Sequence, residues 1–225
     1  MEESRKSLFF FVLLIFILCF IMALVELTKG AIYPIKSVLK WLLFIGIPLS
    51  YMKFKRSRFK RPNLKPEPKK VLMALGLGVI VYFLIIGSYF LFRNWFDFSN
   101  IAHALAGEGI HTKNFLYVAL YISFINSLLE EFFFRVFVYY YMRQWATKWQ
   151  AMFFSATVFS LYHIAIMNSW FTPILFILLI FSLFVAGLMF LWINDKTESF
   201  YSSWIIHMFA NFSINTIGLI LLGMI

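Results

Sequence analysis

Residues 149–194 read WQAMFFSATVFSLYHIAIMNSWFTPILFILLIFSLFVAGLMFLWIN, forty-six positions without an Asp, Glu, Lys or Arg. A helix needs roughly 20 apolar residues to cross the hydrocarbon core of a bilayer. The stretch is therefore long enough for two crossings, with the turn expected at 168–173, where Asn168, Ser169 and Pro173 cluster. Working outward, 7–25, 35–52, 71–92, 115–141 and 199–225 read as further spans. The count is seven. The second is the weakest, with Lys36 and Lys40 in its first turns expected to snorkel toward the headgroups. The first follows Arg5 and Lys6 and could pass for a signal peptide. However, Glu2 and Glu3 spoil its leading region and no A-x-A site follows, so an uncleaved anchor is expected.

The composition agrees. Of the 225 residues 62% are hydrophobic, 21% aromatic and only 13% charged, against about 45–50% apolar and about 25% charged in soluble domains. A soluble domain of this size could not hide so much apolar surface, and disordered chains are polar and poor in aromatics. The fold class expected is an all-α polytopic membrane bundle. Cys19 is the single cysteine, so no internal disulfide or cysteine metal cluster can form.

The net charge of +10 is concentrated in 53–70 (KFKRSRFKRPNLKPEPKK), with nine Lys or Arg and one acid. Positive charge marks the cytoplasmic side, which places this segment and the amino terminus there. Between two hydrophobic spans it reads as a contact for anionic lipid, not nucleic acid. The opposite segment, 93–114, contains Asp97, His103, Glu108 and His111 at no spacing with a mechanism, and reads as a solvated loop.

Of the ten acids, eight fall in tails, loops or span edges; Glu130 and Glu131 lie inside the fourth span. A carboxylate at the bilayer centre costs about 2.5–3.5 kcal/mol on insertion scales and calls for a function. Ser123, Asn126, Ser127 and Glu130 recur at steps of three and four and share a face. Glu131 can reach Arg135 one turn on and keep its charge in that pair. Glu130 has no such charged partner at helical spacing, so it is the carboxylate expected to exchange protons. His163 lies in the fifth span. In the last, Ser203, His207, Asn211 and Asn215 recur every four residues as one ridge. Taken singly, serines and Asn215 in such positions are ordinary interhelical hydrogen-bonding groups. Glu130, His163, His207 and Asn211 on three spans are too many for glue. H-E-x-x-H and G-x-S-x-G are both absent. A Glu and a His can activate water, while a second His and an Asn can hold an oxyanion. The same carboxylates and imidazoles could instead bind a metal, and the residues alone leave both open.

Glu130-Glu131-Phe-Phe-Phe-Arg135, Phe159-Ser-Leu-Tyr-His163 and His207-Met-Phe-Ala-Asn211 resemble the E-E-x-x-x-R, F-x-x-x-H and H-x-x-x-N motifs of the CAAX protease and bacteriocin-processing family, in order and spacing. The resemblance covers about 115–215. It divides the chain into an amino-terminal three-span region, 1–113, and a catalytic membrane core of four helices, 114–225. Members of that family often have eight spans, one more than counted here. The resemblance implies a glutamic-type intramembrane endopeptidase acting near the cytoplasmic face on a peptide or membrane-associated protein. Glu130 would activate water with His163 assisting, His207 and Asn211 would bind the oxyanion, and Glu131 and Arg135 would shape the site. No cofactor is implied, although a metal-dependent version stays open. The Phe, Ile, Lys and Asn bias points to an AT-rich bacterial genome and a plasma membrane. In that setting the resemblance implies bacteriocin immunity or peptide pheromone processing more than prenylated substrates. The alternatives are a non-catalytic scaffold of the same family, and a proton-coupled transporter, which would need repeated halves and broken helices.

Overall fold

Backbone polar groups in hydrocarbon find no water, so a spanning segment must satisfy them within itself, as a helix does. The computed structural model describes residues 2–28, 33–55, 66–167 and 170–225, and among these it is all-helical. Seven helices are long and apolar enough to cross a membrane: α1 (Glu2–Leu27), α2 (Pro34–Phe54), α3 (Pro68–Phe92), α5 (Phe115–Met142), α6 (Lys148–Met167), α7 (Pro173–Thr197) and α8 (Phe200–Leu221). They are the seven spans expected. The centre of the basic segment 53–70, and Asn168 and Ser169 of the expected turn, lie outside the described residues.

The segment 93–114 departs from expectation. It folds into a short helix, α4 (Asn100–Gly107), and Glu108 beyond it reaches Lys36 on α2 at 2.5 Å. Lys36 does not snorkel either. It is 3% exposed, and its ammonium also donates to the carbonyl of Glu26 at the end of α1 at 3.1 Å. The reason is local: Glu26 and Glu108 supply the acceptors that headgroups would otherwise provide.

Proline opens α3 and α7 near their first residues, where a missing N–H costs nothing. The turn from α7 to α8 is only Glu198 and Ser199, and Glu198 adopts a left-handed conformation (φ 49°) to make it. Across this turn Asn194 Oδ1 accepts from the Ser203 amide at 3.0 Å, satisfying one of the open N–H groups of the first turn of α8.

One aromatic core ties 1–113 to 114–225. Phe11 of α1 meets Phe137 of α5 edge-on at 5.4 Å, and Phe44 of α2 stacks on Phe133 of α5 at 4.2 Å and 11°. Helices α6 and α7 pack tightly at Gly187, where an added Cβ would lie 3.1 Å from both Cα and Cβ of Ala156. A backbone atom cannot step aside. Gly187→Leu is therefore expected to lower stability by about 1–3 kcal/mol, the usual range for overpacking, read as a lower thermal midpoint in detergent.

Candidate active site

Helix α5 carries both acids, and two π-helical turns bracket them: Ile122–Asn126 before and Phe132–Val138 after the α-helical turn Ser127–Glu131. Such turns rotate the following side chains relative to a regular helix and are frequent at functional sites. Glu130 and Glu131, 2% and 0% exposed, point into two different sets of partners.

Glu130 divides its two oxygens. Oε1 accepts from Lys40 Nζ of α2 at 2.6 Å and from Asn126 Nδ2 at 3.0 Å. Oε2 faces His163 Nε2 of α6 at 3.9 Å and His207 Nε2 of α8 at 3.8 Å. Those two separations exceed a direct hydrogen bond and are of the size a bridging water spans. Glu130 has no charged partner at helical spacing, as expected, yet it is not unpaired. Its partner comes from another helix, and Lys40, expected to snorkel, is 4% exposed and turned inward.

The tautomers follow from the acceptors. His163 Nδ1 lies 2.7 Å from the Phe159 carbonyl. A carbonyl only accepts, so Nδ1 carries the proton and the Nε2 facing Glu130 is a free base in the neutral ring. His207 Nδ1 lies 3.1 Å from Glu131 Oε1, and the same logic makes it the donor there. Phe190 of α7 stacks on the His207 ring at 5.3 Å.

Glu131 is the hub behind His207. It accepts from His207, from the Ser203 hydroxyl and, in an ion pair of 3.3 Å, faces Arg135 as its place one turn on requires. Ser203 is itself held by Asn194 Nδ2 at 2.7 Å. Arg135, 1% exposed, has its guanidinium carbon 4.3 Å from the centre of the Phe159 ring and 5.4 Å from that of Phe190. Phe159 therefore acts twice, its carbonyl setting the His163 tautomer and its ring covering the arginine.

The polar ridge of α8 lies along the polar face of α5. Beyond Ser203 and His207, Asn211 Nδ2 donates to the Ile122 carbonyl at 3.2 Å, and Asn215 Nδ2 to the Ser123 hydroxyl at 3.1 Å. Glu130, Glu131, Arg135, His163 and His207 converge. Asn211 sits one turn past His207 with one of its two N–H donors committed to α5, leaving the other. The residues that sequence reading missed are Lys40, Asn126 as a direct partner of Glu130, Asn194 and Phe190. Lys40 carried a signal as a charge inside a span, and Asn126 as a polar residue one turn before Glu130 on the same face; Asn194 and Phe190 carried none.

Among the described residues no group of three His, Cys, Asp or Glu side chains is disposed to hold a metal ion, and the Lys40 ammonium stands on Glu130 Oε1 where a metal would compete with it.

The family model described as type II CAAX prenyl endopeptidase Rce1-like matches residues 112–213, just under half the chain. The match bears out the resemblance read from the three motifs and holds all of them. Lys40 and the rest of α1 to α3 fall outside it. No curated protein and no solved structure matches the chain.

Proposed function

We propose, on the premise that residues 112–213 match a family of proteases, that the chain is an intramembrane endopeptidase of the glutamic type. The observation that carries the reading is the placement of Glu130 Oε2 within 3.9 Å of Nε2 on both His163 and His207. A water hydrogen-bonded among these groups gives its proton to Glu130, with the free Nε2 of His163 accepting a hydrogen bond from it and orienting it. The hydroxide attacks the scissile carbonyl. The oxygen that becomes negative is met by His207, as an imidazolium with Nδ1–H held by Glu131 and Nε2–H turned to the oxyanion, and by the uncommitted N–H of Asn211. As the C–N bond breaks, Glu130 returns its proton to the leaving amine, which restores the carboxylate of Glu130 and leaves a carboxylic acid and an amine as products. Glu131 and Arg135 act behind His207: Glu131 holds the ring, and Arg135 balances the charge of Glu131.

The substrate is a peptide or membrane-associated protein engaged near the cytoplasmic face. His207 lies seven residues into α8, ~10 Å along its axis at 1.5 Å per residue. Helix α8 starts on the side of the basic segment 53–70, which would lie against anionic headgroups. The setting is a multi-pass protein of a bacterial plasma membrane with its amino terminus inside, in bacteriocin immunity or peptide pheromone processing.

The purified full chain in detergent is to be tested with an internally quenched peptide ending in a CAAX-type sequence, farnesylated or left unlipidated. Wild type should cleave at least one form, and Glu130→Gln should cleave neither. Equal rates for the two proteins would end the proposal. A divalent-metal chelator in the same assay should leave the rate unchanged. A stop that added zinc reverses would move the assignment to the metal-dependent reading.

A further inference from the structure

We propose that Lys40, on a helix outside the family match, is the positioning residue of the site, its ammonium holding Glu130 Oε1 so that Oε2 is presented to the two imidazoles. The proposal rests on the endopeptidase reading of Glu130. Three contacts close a triangle: Lys40 Nζ to Glu130 Oε1 at 2.6 Å, Lys40 Nζ to Asn126 Oδ1 at 2.5 Å, and Asn126 Nδ2 to Glu130 Oε1 at 3.0 Å. A carboxylate with one oxygen pinned from two directions cannot spin about its last torsion, so the other oxygen keeps one heading. The third face of the ammonium is apolar: the centre of the Tyr162 ring is 5.1 Å away and that of Phe44 5.5 Å. Among the described residues the ammonium thus touches the acid, the amide and two ring faces, with the Glu26 carboxylate within electrostatic reach.

The height of Lys40 is set by packing. Phe44, four residues on in α2, stacks flat on Phe133, three residues past Glu130 in α5. Both helices run in the same direction, so the stack one turn below fixes the level at which the ammonium meets the acid. The stretch between the two lysines is also informative. Lys36 is as buried as Lys40, yet its partners are Glu108 and the Glu26 carbonyl, not the site. A general demand for buried lysines on α2 would thus apply to both residues, whereas positioning of Glu130 applies to Lys40 alone.

The experiment uses the full chain in detergent with the quenched CAAX-type peptide. Lys40→Met should lower kcat on the order of 10²-fold, the scale of a misplaced reacting group, with KM little changed. Lys40→Arg, which keeps the charge, should return most of the rate. Lys36→Met should keep the wild-type kcat. A second readout needs no substrate: the thermal midpoints of Lys40→Met, Glu130→Gln and the double variant. The double variant should lose less than the sum of the singles, because it leaves no buried charge alone. A wild-type kcat in Lys40→Met, an equal fall of kcat in Lys36→Met, or additive midpoints would overturn the proposal. So would failure of both Lys40→Met and the double variant to fold, which would assign Lys40 to architecture alone. If Glu130→Gln also retains the wild-type rate, the fault lies with the endopeptidase reading, and the midpoints still decide whether the pair is coupled.

Discussion

Glu130→Gln is expected to abolish turnover of a cleavable peptide while leaving a folded protein. The substitution preserves shape. It also leaves a side-chain oxygen able to accept from Lys40 and Asn126, so the triangle around Oε1 can survive. What disappears, among the described residues, is the carboxylate that faces both imidazoles and that in the proposed mechanism takes a proton from water and returns it. General acid–base groups are worth about 10²–10⁴-fold, and in the proposed mechanism one carboxylate serves both the attack and the departure of the amine, so the loss should lie at the upper end of that range. KM should change little, because Glu130 contacts the attacking water and not the bound chain. The measurement is kcat and KM for both proteins beside their thermal midpoints. A variant that keeps its midpoint and more than a tenth of the wild-type kcat would sink the assignment.

Glu131→Ala should instead be a stability variant first. Removing this side chain leaves Arg135, 1% exposed, without its counter-ion, the His207 Nδ1–H without its acceptor, and the Ser203 hydroxyl without the carboxylate it serves. Breaking a buried ion pair from one side typically costs about 3–5 kcal/mol, a large share of the roughly 5–15 kcal/mol that holds a domain together. The expected result is a steep drop in the thermal midpoint and in the yield of folded protein. Glu131→Ala combined with Arg135→Met should recover part of the midpoint, since no charge is then left unmatched, but not the activity, because His207 stays unheld. A single variant with the wild-type midpoint would show that Arg135 is satisfied by its aromatic neighbours alone.

The sequence told much of this, and its failures have physical causes. The seven spans were legible because length and apolarity are local properties, and hydrocarbon tolerates little else. The pairing of Glu131 with Arg135 was legible because it lies within one helical turn. Helical spacing also grouped Ser123, Asn126, Ser127 and Glu130, and the ridge from Ser203 to Asn215. Spacing within a helix is silent about the helix opposite. Lys40 was visible as a charge in a span, but the acid it faces is ninety residues on, and a lysine near a helix end has a bland alternative at the headgroups. Lys36 was misread for the same reason, its acceptor Glu108 sitting in a segment taken as a solvated loop. Phe159 was visible as a motif position without a task, and only the packed structure shows that it serves His163 through its backbone and Arg135 through its ring.

The triangle around Glu130 and the hub around Glu131 have a joint electrical consequence. Each acid is matched by one cation, Lys40 or Arg135, so these four charges sum to zero and the net charge of the cluster is that of the His207 ring. A full elementary charge moved across a membrane feels about 2.3 kcal/mol per 100 mV. The four matched charges give that field no net charge to pull on, so the proton of His207 is the one charge whose entry to or exit from the site would feel the membrane potential.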